Sequence, residues 1–427
     1  MKRALVSELS NHRGAEVMLR GWVYRIRELS KVTFLVLRDR TGMIQVAMEP
    51  SLLGGVQLSV ESVVEIRGVV RNEPRAALGY EIEAHKLKVL ALAEALPISV
   101  NGPTLEAAPE TILDYRVLSL RHAKTNPIFK IQAALVRGFQ MFLDKEGFLQ
   151  IFTPKIVASG TEGGTELFSL QYFETKAYLA QSPQFYKQMM IGAGYERVYE
   201  VGQVYRAEKH STSRHLNEYV SLDLELAFID NEHDIMDLQN RLLAFMFEYV
   251  LQECSEELEE LGVNLPSVPT IPRIPLLEAI EILEREYGKI HEEPDLDPEG
   301  ERLLNKYILD ITGSEFVYVT DYPWAKRPMY TMPKGEGLTR SFDLLFRGLE
   351  ITTGGQRIHT YELLEANMIK KGLNPQDYSG YLPNFAWGMP PHGGLAIGLE
   401  RLTAQIIGLK NVREASLFPR DRHRLTP

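Results

Sequence analysis

Five segments near the N-terminus alternate apolar and polar side chains with a period of two: Val17–Arg27, Val32–Arg38, Met43–Met48, Ser62–Arg71 and Tyr80–Leu90. That period puts successive side chains on opposite faces of a half-buried strand. Thr41-Gly42 supplies a turn between the second and third, and Pro74 and Gly79 interrupt the connection between the last two. Five strands with little helix predict a small closed barrel of the OB type over residues 1–95.

The period then changes. Pro97, Pro103 and Pro109 break regular structure and make 96–125 a linker. Ile128, Ile131, Leu135, Phe139, Phe142 and Leu143 follow at helical spacing, and Gly147 ends the helix. Phe148–Lys155 reads as a strand whose Pro154 cannot donate to a ladder and so belongs where pairing stops or at an edge. Val198–Tyr205 and Tyr219–Ile229 are apolar, β-rich runs around a polar loop, which predicts an antiparallel hairpin. One or two long helices are expected from His233 to about Leu261. From about 255 to 335, helix and strand signals alternate around many prolines. This stretch reads as an insertion, with Glu292–Glu299 a solvated loop, and no chemistry is assigned to it. A strand pair over 341–359 and a Gly-rich strand running into a helix over 385–403 complete an α+β domain, an antiparallel sheet flanked by helices, spanning 126–427.

At 427 residues, with 44% hydrophobic and 24% charged, the chain has material for two or three domains with a sizeable core. Its single cysteine, Cys254, excludes a disulfide framework and a cysteine-based zinc cluster. The N-terminus lacks an apolar signal region and no run is long enough to span a bilayer, so a cytoplasmic protein with no membrane partner is expected. A net charge of −10 argues against a nucleic-acid binder, but its distribution is uneven. Residues 1–100 hold 14 Lys and Arg against 11 Asp and Glu, and the remainder 33 against 46. A mildly basic module on an acidic body leaves room for RNA contact at one end.

The hairpin concentrates Arg206, Glu208, Arg214, His215 and Glu218. At alternate positions of a strand, Arg206 and Glu208 share a face, where a guanidinium can grip a phosphate; a salt-bridged surface hairpin is the plain alternative. Arg25, Arg27, Phe34, Arg38 and Gln45 fall on one face of the barrel. Phe34 there is either core or a platform for an unpaired base. Asp343 and Glu350 interrupt apolar strands and need a partner, either Mg²⁺ with phosphates or ordinary ion pairs. The adjacent glycines within 159–168 mark a mobile loop that could close over a substrate or be a passive turn. Lys187, taken alone, is a solvated lysine near the start of a helix beginning around Gln184.

Arg206-x-Glu208, a loop, then Arg214-His215-x-x-Glu218-Tyr219 resembles motif 2 of the class II aminoacyl-tRNA synthetases, the hairpin that binds ATP. The helix, strand and Pro154 resemble motif 1, which implies a homodimer. The segment 385–403 resembles motif 3, whose arginine, here Arg401, lies against the adenine and reaches the γ-phosphate. Ser182-Pro-Gln-Phe-Tyr-Lys-Gln188, the segment Leu113–Arg121 and the C-terminal Leu-Phe-Pro-Arg-Asp-Arg run are similar to the aspartyl branch. Tyr219 stands where many members have Phe under the adenine. The chain lacks room for the large extra domain of bacterial members, and so resembles the compact archaeal and eukaryotic type.

The resemblance implies roles. Arg206, Glu208, Arg214, His215, Glu218, Tyr219, Asp343, Glu350 and Arg401 would bind ATP, with Arg206, Glu208 and Arg401 the catalytic set. Asp343, Glu350 and Thr353 would hold Mg²⁺. Glu162, Gln184, Lys187, Asp223, Thr353, Arg357 and His392 would bind L-aspartate, Lys187 and Arg357 forming a two-cation pocket for its side chain. Tyr24, Arg27, Phe34, Gln45 and Ala77 would meet the anticodon of tRNA(Asp). Strict compact members tend to place Trp and Lys where Tyr24 and Ala77 stand. The expectation is therefore an enzyme that also aspartylates tRNA(Asn), linked to an amidotransferase; reading by Tyr24 and Arg75 is the alternative. An asparaginyl enzyme, a tRNA-independent amide synthetase on the same core, and a non-catalytic OB-type binder remain the competing functions.

Overall fold

The computed structural model describes residues 2–161, 166–209 and 212–426. It divides into two compact units, Met1–His122 and Ala123–Pro427. Most of the expected linker therefore belongs to the first unit. The reason is Glu61, a buried carboxylate that Arg38, Asn101 and Arg121 all satisfy, tying the linker to the barrel.

In the first unit Glu16–Glu28, Thr33–Asp39, Gly42–Met48, Tyr80–Ala91 and Val63–Asn72 hydrogen-bond in that order and close into a barrel. Leu19, Val23, Leu35, Leu37, Val46, Val64, Ile66 and Ile82 fill its interior. Phe34, Val36 and Arg38 alternate with the buried Thr33, Leu35, Leu37 and Asp39. Phe34 is thus half-buried on the outer face and is not core.

In the second unit the described residues form an eight-stranded sheet. Its order is Arg273–Pro275, Phe316–Thr320, Ser341–Phe346, Leu349–Arg357, His392–Gly398, Glu218–Ala227, Arg197–Tyr205, Leu149–Gln150. The inner pairs are antiparallel and the outermost pair at each edge is parallel. Helices Asn126–Lys145, Glu232–Glu253 and Leu399–Ile407 contribute Leu135, Phe139, Leu242, Met246 and Leu402 to a core shared with the sheet. Alternation decides what faces that core. Leu222, Leu224 and Leu226 join it, whereas Asp223 and Glu225 stand on the other face, as does Asp343 between Phe342 and Leu344. A sheet with one greasy and one charged face is how this chain makes both a core and a site.

Two expectations change. The strand predicted over Phe148–Lys155 pairs only at Leu149–Gln150. Beyond it, the Glu200 carboxylate accepts from the Thr153 amide, the Thr153 hydroxyl and Lys155, so the chain leaves the sheet with its polar groups satisfied. Pro154 is exposed just past the point where pairing stops. The 255–335 region is not set apart from the sheet: two of its strands extend the sheet edge, and helices Leu276–Tyr287 and Pro298–Thr312 pack on them around Leu283, Leu304 and Val317. The expected loop ends at Pro298, where the second helix begins, and Glu299 lies inside it.

His392, fully buried on its strand, is held by neighbours on both nitrogens: Gln188 lies 2.9 Å from Nε2 and the Pro390 carbonyl 2.8 Å from Nδ1. Gln188 in turn accepts from the Tyr381 hydroxyl. Burial, aided by Arg357 and outweighing Glu225, pushes the imidazole down to about 4. In the unfolded chain it would titrate near ~6.5. The unfolded state therefore binds the extra proton first, and stability is lost as pH falls from about 6.5 to about 4. At 1.36 kcal/mol per unit the loss is roughly 3 kcal/mol. Urea unfolding across this window should show that slope in the native protein and a markedly shallower one in His392→Asn; equal slopes would contradict the assignment.

Candidate active site

The hairpin strands pair from Arg197↔Leu226 to Tyr205↔Glu218. The first strand ends at Tyr205, so Arg206 and Glu208 lie in the loop and not on a strand face as expected. Asn217 closes that loop: the Arg206 amide donates to its carbonyl at 2.9 Å, and its side-chain amide donates to the Arg206 carbonyl at 2.7 Å. Arg206, Glu208, Arg214, His215, Tyr219, Glu350 and Arg401 line a cleft of about 260 Å³. Arg401, in the first turn of helix Leu399–Ile407, donates to the Glu350 carbonyl at 3.0 Å and lies 3.5 Å from its carboxylate. Arg214 pairs with Glu301 at 2.5 Å. The backbone of Glu218 pairs with that of Arg420, and Glu218 is not among the residues lining the cleft. Burial, reinforced by Arg401 and Arg214, pushes His215 down to about 4. Without a ligand it is neutral at neutral pH, and it can offer a phosphate a hydrogen bond.

A second cavity of about 550 Å³ adjoins the first. The two share Arg206, Glu350, Thr353 and Ala396. Its walls include Gln184, Asp223, Arg327, Tyr330, Asp343 and Arg357. Behind them lies a cluster of four buried charges. Lys187, wholly buried in helix Gln184–Met190, donates to Asp223 at 2.8 Å and lies 3.4 Å from Glu225. Arg357 donates to Glu225 at 3.0 Å, to the Gly394 carbonyl at 3.0 Å and to Gln184 at 3.3 Å. Burial would raise Glu225, but Arg357 and Lys187 overcome it and hold its carboxyl below the usual range. Gly394 makes the room, since a Cβ there would lie 2.3 Å from the Glu225 carboxylate. The expected two-cation pocket is therefore a neutralised lattice. Arg357, Gln184 and Asp223 face the cavity, while Lys187 stands behind Asp223, and His392 also lies behind the wall.

Asp343 and Glu350 come from adjacent strands, with Thr353 donating to Glu350 at 3.1 Å. Asp343 Oδ2 accepts from Arg327 at 2.7 Å, and its Oδ1 is buried with no hydrogen-bond partner. Burial and Glu350 raise Asp343 above its ordinary value. Burial would do the same to Glu350, but Arg401, Arg327 and the Thr353 hydrogen bond hold it below. Among the described residues no group of three or more His, Cys, Asp or Glu is arranged to hold a metal. Two carboxylates, one with an orphaned oxygen, and a hydroxyl fit Mg²⁺ in its usual manner, the remaining positions going to water and substrate phosphates.

On the barrel, Phe34 faces Arg27 across strands and Val36 faces Gln45. Gln45 donates to Glu81 at 2.7 Å, and Arg27 is exposed. Arg38, expected on the open face, is instead spent on Glu61 at 2.7 Å. The Tyr24 hydroxyl donates to the Asn101 carbonyl at 3.1 Å, and Ala77 is exposed on its turn. Glu162 lies outside the described residues.

Several site residues escaped sequence reasoning. Glu225 could have been found, two positions after Asp223 on the same face. Arg327 sits in Pro323-Trp-Ala-Lys-Arg-Pro328, and Glu301 reads as one more acid on an amphipathic helix; neither carries a local signal.

Comparison with known proteins accounts for this geometry. Residues 108–422 match the model described as tRNA synthetases class II (D, K and N), and residues 17–90 match the OB-fold nucleic acid binding domain. An aspartate–tRNA(Asp/Asn) ligase of Thermus thermophilus is 50% identical with 100% of both chains covered. An aspartate–tRNA(Asp) ligase of Pyrococcus abyssi is 43% identical over 97% of each. The solved asparaginyl-tRNA synthetase of Pyrococcus horikoshii with asparaginyl-adenylate is 33% identical, covers both chains fully and superposes with a TM-score of 0.93. With the family model matching most of the chain and relatives this similar along its whole length, the chain belongs to the class II aminoacyl-tRNA synthetases of the D, K and N group.

Proposed function

We propose that the chain joins L-aspartate to tRNA(Asp) through an aspartyl-adenylate, using ATP with Mg²⁺. The observation that supports this most is the junction of the two cavities at Arg206, with Arg357 and Asp223 facing the larger one. Aspartate offers an ammonium to Asp223 and Gln184 and a side-chain carboxylate to Arg357, with Lys187 adding its field from behind Asp223. Its α-carboxylate is then directed towards Arg206. An α-carboxylate oxygen attacks the α-phosphorus, the bond to the bridging oxygen breaks and pyrophosphate leaves. The nucleophile is already an anion, so no base is needed, and positioning and charge neutralisation do the work. Mg²⁺ on Asp343 and Glu350 would neutralise phosphate charge. Tyr219 stacks on the adenine, and Arg214 and Arg401 reach the outer phosphates. In the second step the aspartyl group passes to the 3′-terminal adenosine.

Asparagine has nearly the same shape, so charge must separate the two. A neutral amide against Arg357 forgoes the charge-assisted hydrogen bond that a carboxylate would accept there beside Glu225. This disfavours the asparaginyl reading. The barrel's Phe34 and Gln45 disfavour a tRNA-independent synthetase, and Arg206, Glu350 and Arg401 together disfavour a non-catalytic binder. For tRNA choice we favour a relaxed enzyme working in the cytoplasm, charging tRNA(Asn) as well and leaving its product to an amidotransferase. Ala77 offers no charged contact, and Arg75 is held by both oxygens of Glu73. A homodimer is favoured by the apolar side chains left open on helix Asn126–Lys145 and the segment after it, with Met141 49%, Leu149 47% and Phe152 83% exposed.

Three measurements follow from this reading. ATP–pyrophosphate exchange should depend on aspartate, with asparagine lower by about a hundredfold or more in kcat/KM, roughly 2.7 kcal/mol; comparable rates would refute it. In Lys187→Met the KM for aspartate should rise about tenfold or more, because Asp223 and Glu225 lose a buried partner, while the KM for ATP stays nearly constant. Transcripts of tRNA(Asp) and tRNA(Asn) should be charged within about a hundredfold of each other, and a wider gap would make the enzyme discriminating.

A further inference from the structure

Arg327 is a cation at a place where a metal ion is expected. It comes from the loop before Pro328, in the region to which sequence reasoning assigned no chemistry. Its guanidinium lies 3.7 Å over the Tyr322 ring and 2.7 Å from Asp343 Oδ2, with its side chain only 10% exposed. On the far side of the carboxylate pair, Arg401 lies 3.5 Å from Glu350. With Arg206 also beside Glu350 in the wall of both cavities, the two carboxylates carry no uncompensated negative charge before any ligand arrives. A free divalent cation entering it would add two uncompensated charges to a partly desolvated compartment, which is strongly unfavourable. A metal accompanied by a triphosphate brings its own negative charge and does not meet that barrier.

We propose that Arg327 is a positioning residue that makes metal binding conditional on nucleotide: it neutralises Asp343 in the ligand-free protein and fixes that carboxylate by Oδ2, leaving Oδ1 for an ion that arrives with phosphate. The geometry has both parts. The stacking on Tyr322 and the contact with Oδ2 hold the guanidinium in place, and Oδ1 is the buried oxygen with no partner. The chain's own donors, two carboxylates and the Thr353 hydroxyl, are too few for Mg²⁺ without water and phosphate oxygens. The inference rests on the proposed ATP and Mg²⁺ site and adds to it an order of binding.

Mn²⁺, followed by its paramagnetic resonance signal, tests this on the full chain. The native protein should bind Mn²⁺ weakly alone and tightly with a non-hydrolysable ATP analogue. Arg327→Gln should bind Mn²⁺ alone at least about tenfold more tightly, because the carboxylate beside it is no longer neutralised. Arg327→Lys, which keeps the charge, should stay near the native value. Arg327→Met, closer in volume, replaces Arg327→Gln if the latter fails to fold. Unchanged nucleotide-free affinity in the charge-removing variant, with analogue-dependent binding intact in the native protein, overturns the inference alone. Absence of analogue-dependent binding in the native protein overturns the ATP and Mg²⁺ reading itself.

Discussion

Four buried charges at the wall of the larger cavity, Lys187, Asp223, Glu225 and Arg357, set the terms for the larger unit. Each would cost several kcal/mol to bury alone, and together they are tolerable only because every one has a partner at hydrogen-bond distance. That requirement reaches far into the fold. Asp223 and Glu225 need a strand whose other face, at Leu222, Leu224 and Leu226, is apolar. Glu225 needs a glycine opposite it at position 394, and Arg357 needs the end of a neighbouring strand and the carbonyl of that same glycine. A lattice so balanced is also poised. An amino acid with a second carboxylate brings one net negative charge that Arg357 can share with Glu225, whereas its amide analogue brings none.

The nucleotide side follows a similar logic with more water. Arg206, Glu350 and Thr353 border both cavities, so in the proposed reaction phosphate and amino acid would meet at shared walls. Glu301, pushed up to about 7 by burial despite its contact with Arg214, accepts from the Glu350 amide as well. One carboxylate from the inserted helix thereby meets a hairpin arginine and the strand that carries Glu350 together. The insertion is part of the site's frame.

Much of this could be read from the chain. Period-two alternation placed all five barrel strands, because a barrel wall has one wet and one dry face and the sequence must show both. The hairpin and the Gly-rich strand running into its helix were legible for the same reason. What escaped was whatever depends on distant residues meeting. Lys187 looks like a surface lysine until Asp223 arrives from another strand, and Arg327 has no local pattern because its role comes from Asp343 and Tyr322. Likewise, the neutral state of His215 follows from burial beside two arginines. Short strands misled too: Phe148–Lys155 alternates well, but Glu200 captures its amide before the sheet can.

The claim that charge in a buried lattice selects the amino acid is tested most directly by binding of stable adenylate analogues. Calorimetric titration with the sulfamoyl analogues of aspartyl- and asparaginyl-adenylate shares every nucleotide contact and differs at one group. The lattice described above predicts that the aspartyl compound binds tighter by about a hundredfold or more, and that Arg357→Met removes most of the difference. Equal affinities for the two analogues in the native protein would contradict it.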